Sequence, residues 1–188
     1  EEIVLDVNKL AIGHKYTSVA AVKPSLDHKQ IAYLVDFEGR RFYDIYFKNL
    51  ETGSTSQFVI TKTAGNLVWA NDNRTVFYVM QDQVTLRADR VFRADIQTQK
   101  NEEIYFEKDE IFSVWVSKSL NDRYIFLNTS SFDASEIRFL DANKPLGKWE
   151  IFNPRETKHE YAVEDGGDGF LVLTNFGAEN FRVMHAKY

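Results

Sequence analysis

Four short apolar runs, separated by three polar turns, recur along this 188-residue chain at a nearly constant interval. The clearest copy is Ser113–Phe152. It reads as strands Ser113–Val116, Arg123–Leu127, Glu136–Leu140 and Lys148–Phe152, joined by a turn over Lys118–Asp122 and loops over Asn128–Ser135 and Asp141–Gly147. Second strands start at Ile31, Val76, Ile125 and Leu171, which are 45, 49 and 46 residues apart. Third strands register at Ile45, Val91, Ile137 and Phe181, spaced by 46, 46 and 44. Fourth strands register at Ile60, Phe106 and Phe152, spaced by 46 and 46. A steady period with four strands per unit marks the blade of a β-propeller. A β-sandwich is the alternative: it spaces strands similarly but does not require four-strand units with the same internal turns.

The other copies complete the pattern. The first runs through Tyr16–Ala20, Ile31–Val35, Phe42–Phe47 and Phe58–Ile60, with Gly39 placed for a positive φ in the Phe37–Arg41 loop. The second uses Leu67–Trp69, Val76–Met80, Arg90–Arg93 and Ile104–Phe106. The last has three strands, His159–Val163, Phe170–Leu173 and Asn180–Met184. The expected fold is all-β: about three and a half propeller blades at 16–62, 63–110, 111–156 and 157–188, after a lead-in at 1–15 with a helical turn near Asp6–Leu10. So few blades do not close a ring. Both outer blades are therefore expected to expose an apolar face, and the isolated chain to self-associate through them. The start, Glu1-Glu2-Ile3-Val4, is neither an initiator Met nor a signal peptide, so a longer parent chain is expected.

Composition narrows the partners. The net charge is −5 and no basic block occurs, which weighs against nucleic acid and anionic membrane. Without cysteine there is no disulfide or thiolate metal site, which fits a cytoplasmic location. No apolar run approaches the roughly 18 residues of a membrane span. Aromatics reach 14%, mostly Phe and Tyr, as suits pleated, half-buried surfaces.

No motif for covalent chemistry appears. No Gly-x-Ser-x-Gly string is present. His159-Glu160 begins a zinc-protease pattern, but Val163 occupies the second histidine's place. His14, His28 and His185 are isolated in sequence. Asp165–Gly169 lacks the alternating ligands of a calcium loop and reads as a hairpin turn. Asn73-Arg74-Thr75 and Asn128-Thr129-Ser130 match the glycosylation triplet without a secretory context. Trp69, Trp115 and Trp149 are expected within strands as packing residues, and Lys100–Glu110 as a solvated face. No catalytic, cofactor-binding or metal-ligating residue is expected, and no cofactor.

Several strings resemble a known family. These are Glu2–Asn8 with Gly13-His14, Lys48–Gly53, Val68–Asn73 with Phe77-Tyr78, Thr85–Arg87 with Val91–Arg93, Tyr105–Asp109, Ser135–Arg138, Pro154-Arg155 with His159–Tyr161, and Asn180–Arg182. In order and from end to end they resemble the prolyl oligopeptidase family of serine peptidases, and within it the oligopeptidase B branch. The resemblance implies an α/β-hydrolase domain with a Ser-Asp-His triad, capped by a seven-bladed propeller that restricts access to short peptides. In that branch cleavage follows Arg or Lys. The triad and the acidic residues that select a basic side chain lie mostly in the domain not represented here, so none carries over. The implied partners are the hydrolase domain of the same parent chain and short basic peptides.

A gating propeller works by steric exclusion and by movement against its partner domain. The loops between second and third strands are expected to face the hydrolase: Glu38, Arg40 and Arg41 in the first copy, and Gln81, Asp82 and Arg87 in the second. An interdomain pair of arginine with carboxylate is the expected device; a solvated hairpin tip is the plain alternative for each residue. A stand-alone propeller-like binding module, without a hydrolase, is the second functional class.

Overall fold

The computed structural model describes residues 2–188. After a single helical turn, α1 (Val7–Leu10), capped by the Asp6 carboxylate, the chain is all β. The strands are β1 (Ser18–Pro24), β2 (Gln30–Asp36), β3 (Tyr43–Asn49), β4 (Ile60–Trp69), β5 (Thr75–Gln81), β6 (Ala88–Asp95) and β7 (Lys100–Phe106). They continue as β8 (Ser113–Lys118), β9 (Tyr124–Ser130), β10 (Ser135–Asp141), β11 (Glu150–Asn153), β12 (Tyr161–Asp165), β13 (Phe170–Thr174) and β14 (Arg182–Ala186). Every paired neighbour is antiparallel and next in sequence, as expected of propeller blades, and the sheets do not close into a ring.

Burial explains the apolar runs. The second strands β2, β5 and β9 are buried along nearly their whole length, because each is covered on both faces. Tyr78 and Val76 on β5 face Leu34, Ile45 and Phe47 of the preceding blade. Phe77 and Val79 face Val114, Val116 and Leu127 of the following one. A third seam packs Phe126 and Ile137 against Tyr161, Phe170 and Val172. In β13 burial alternates instead, leaving Leu171 and Leu173 exposed on a face that also carries exposed Val183 on β14.

The first blade differs from the expectation of an open outer face. Ile31, Tyr33 and Val35 are buried there, covered by Leu5 and Leu10 of the lead-in and by Val19, Phe37 and Tyr46. Lys48 Nζ holds this lead-in by donating to the Val4 carbonyl at 2.7 Å, and His14 stacks on Phe37 at 3.9 Å.

A second departure is the fusion of two expected strands into β4. Its first part pairs with β3 and its second with β5, so hydrogen bonding runs unbroken from β1 to β7. Gly65, at φ +81°, makes the kink between the two parts. A Cβ there would stand 2.8 Å from the Tyr43 ring, so the site requires glycine. In the third copy, β9 runs on to Ser130, into the segment expected as a loop. Asn128 and Thr129 are buried there because their side chains bond Ser117 Oγ and the Glu136 carbonyl.

The tryptophans also divide. Trp69 is buried in β4 and donates to the Lys23 carbonyl of β1 at 2.9 Å. Trp149 lies just before β11 rather than in a strand, and meets Phe77 edge-on at 5.4 Å across a seam. Trp115 is a strand residue, but an exposed one.

Polar hooks tie the seams. Asn66 uses both ends of its amide on Val116, accepting from its N–H at 2.7 Å and donating to its carbonyl at 3.1 Å. Asn71 donates to the Asp122 carbonyl, and the Leu120 N–H to Glu164. The glycosylation triplets have structural roles: Asn73 accepts from the Asp27 N–H, and Asn128 is buried.

Candidate functional site

Because strands alternate in direction, the β2–β3, β5–β6, β9–β10 and β13–β14 loops emerge at one end of the blades. The inter-blade connections 107–112 and 154–160 emerge there too. Cross-bonds confirm the shared end: Gln81 Nε2 donates to the Arg41 carbonyl at 2.8 Å, and the Ser135 N–H to the His159 carbonyl at 3.0 Å. All six residues expected to act in gating belong to this loop face.

Their situations differ. In the β2–β3 loop, the buried Asp36 carboxylate accepts from the N–H groups of Glu38, Gly39 and Arg41 at 2.7–2.9 Å. That clamp fixes a tight loop with Gly39 and Arg41 at positive φ, and turns Glu38, Arg40 and Arg41 into solvent. Arg40 lies over the Phe42 ring. Gln81 is buried and its amide is spent on the Arg41 carbonyl. Asp82 caps its own loop, accepting from the Val84 and Thr85 N–H groups. Bonds from the Thr85 and Val84 N–H groups and the Thr85 hydroxyl hold its carboxyl below the usual value. Arg87 turns inward and donates to the carbonyls of Glu107, Asp109 and Phe112, stitching its loop to the 107–112 connection. Glu38, Arg40 and Arg41 are thus presented outward, while Gln81 and Arg87 are committed to internal bonds.

Beneath this face lies a charged seam. Arg155, from the 154–160 connection, donates to Glu107 at 2.6 Å and covers the Phe112 ring. Its backbone N–H bonds Glu136, which also takes Arg138 at 2.7 Å. Burial pushes the Glu107 carboxyl up, but bonds from Arg155, Tyr105 and the Asp109 N–H outweigh it and leave it below the ordinary value.

The apolar tips of these loops are not among the residues expected to act. Phe132 is 98% exposed and Val84 89%, in two of the loops; Ile111 and Phe176 are exposed at the same end. The opposite end carries exposed Leu120 and Leu146. A lone phenylalanine inside the polar Asn128–Ser135 stretch was the available signal. Among the described residues, no group of three or more His, Asp or Glu side chains is arranged to hold a metal, and no helix is long and apolar enough to cross a membrane.

Residues 1–188 match the family described as prolyl oligopeptidase, N-terminal beta-propeller domain. The chain is 37% identical to dipeptidyl aminopeptidase BI of Pseudoxanthomonas mexicana, over 99% of its own length and 26% of that protein's. Among solved structures, oligopeptidase B from Leishmania major superposes with a TM-score of 0.90 at 30% identity, covering 99% of this chain and 27% of that one. Oligopeptidase B from Trypanosoma brucei, in a closed form with covalently bound antipain, gives 0.87 at 32% identity, covering 99% and 26%. The chain therefore spans about a quarter of the length of these relatives.

Proposed function

The chain belongs to the prolyl oligopeptidase family, as part of its N-terminal β-propeller, and on that premise we propose that its loop face gates an α/β-hydrolase domain carried by the same parent chain. The observation that carries this reading is the gathering of exposed Val84, Ile111, Phe132 and Phe176 at the end that also presents Glu38, Arg40 and Arg41. Apolar groups standing free in water favour a covering partner. The surrounding charges set its register and are broken and remade at modest cost, as opening requires. The parent acts as a serine peptidase on short peptides. Its catalytic serine, aspartate and histidine lie outside this chain, which alone is inactive.

Substrate choice has two readings. Likeness to the oligopeptidase B structures favours internal cleavage after Arg or Lys. The 37% identity to a dipeptidyl aminopeptidase favours release of dipeptides from a free amino end. Charge reversal at exposed Arg41 tests the gate. In the full-length protein, Arg41→Glu is expected to change kcat and KM together, because opening and closing precede and follow chemistry. Kinetics identical to wild type would remove Arg41 from the gate.

A further inference from the structure

Beside the apolar tips Val84 and Ile111 is a cavity of about 250 Å³ lined by Asp82, Thr85, Arg87, Asp89 and Glu110. Three of these five side chains are carboxylates. The one lining cation, Arg87, spends its hydrogen bonds on carbonyls: Nη1 donates to that of Phe112 at 2.8 Å and to those of Glu107 and Asp109 at 3.3 Å.

Asp89 is the unusual member. It is 2% exposed, and its Oδ1 has no hydrogen-bond partner. Its Oδ2 forms ion pairs with Arg87 at 3.7 Å and Arg90 at 3.9 Å, both longer than a hydrogen bond. A buried carboxylate oxygen without a donor is costly, so such atoms call for an explanation. Burial pushes this carboxyl above its ordinary value against the pull of Arg90 and Arg87.

The carboxylates are not set for a metal ion. Three carboxylates around a space of this size match a hydrogen-bonding cation of head-group size. Val84 and Ile111, in the same two segments as Asp82 and Glu110, form an apolar lip suited to the carbon skeleton behind such a head. We propose that this cavity receives a single organic ammonium or guanidinium group presented to the loop face. The inference rests on reading that face as the one turned toward the hydrolase. Two sources share this chemistry: the free α-amino end of a peptide substrate, and a Lys or Arg side chain from the remainder of the parent protein.

The test uses the full-length protein as wild type, Asp89→Asn and Glu110→Gln. The second variant changes an exposed residue and guards against misfolding of the first. Each is assayed on one peptide with a free amino end and on its N-acetylated counterpart, at low and high salt. If the occupant is the substrate's amino group, both variants lose about tenfold in kcat/KM, through KM, on the free peptide and nothing on the acetylated one. If it is a side chain of the protein itself, both peptides lose equally, and high salt produces the same loss in wild type. Unchanged kinetics for both variants on both peptides would overturn the receptor. Discrimination by peptide length, measured on the same preparations, reports separately on the gate.

Discussion

Arg155 and Glu107, 48 residues apart, meet at 2.6 Å between two inter-blade connections and join the second blade to the third. Glu107 is almost wholly buried, and Arg155 reaches it across the Phe112 ring. Removing one partner of such a pair strands the other charge away from water. Arg155→Met is expected to cost about 3–5 kcal/mol, read as a fall in the urea midpoint. The double variant Arg155→Met/Glu107→Gln should lose less than the sum of the two single changes. Full additivity would mean the two side chains act independently.

Acid should loosen the same structure. Asp95 is held at about 2, from a usual 3.8, chiefly by its bond from Arg74. Glu107 is also depressed, below 4.5. Depressed carboxylates contribute stability that is present above their unfolded values and lost as pH falls through the folded ones. Thermal midpoints are therefore expected to hold at neutral pH and fall from about pH 4.5 toward about pH 2. Arg74→Met should flatten the lower part of that fall, and an unchanged acid limb would discount the Asp95 contribution.

Asn66 substitutes for a strand at the seam between the second and third blades. Asn66→Ala leaves the Val116 N–H and carbonyl without their partners. A loss of about 2 kcal/mol is expected, with faster hydrogen exchange at the Val116 amide. Protection equal to wild type at that amide would show that the bond is dispensable.

The uncovered face of β12–β14 leads to a further expectation. Leu171, Leu173 and Val183 are exposed on it, whereas the outer face of the first blade is covered by Leu5 and Leu10. The 188-residue chain should self-associate at micromolar concentration through this one face, and Leu171→Lys/Leu173→Lys should return it to monomer. Light scattering that gives a monomer before substitution would contradict this.

Much of the fold was legible because the second strands are buried on both faces. That demand writes continuous runs such as Ile31–Val35 and Val76–Met80 into the sequence at a constant interval. The fusion of β4 was not legible, because it depends on a glycine kink against Tyr43, a contact between elements. The end of β9 was hidden for a related reason: Asn128 and Thr129 look like loop residues until their partners on β8 and β10 are known. At the loop face, the outward position of Glu38, Arg40 and Arg41 follows from local turn chemistry around Asp36. The inward turn of Arg87 depends on carbonyls 20 to 25 residues further on, which no local pattern announces. Asp89 gives no sequence signal, since its interest lies in an absent partner.

If this face limits what reaches an active site elsewhere in the parent protein, cleavage depends on peptide length. The most direct measurement is kcat/KM of the full-length protein on a series of unstructured peptides that share one scissile sequence and differ only in length. A steep fall is expected as the chain outgrows the space behind the propeller, with the short members cleaved efficiently. A kcat/KM that stays level through the longest peptides would contradict it.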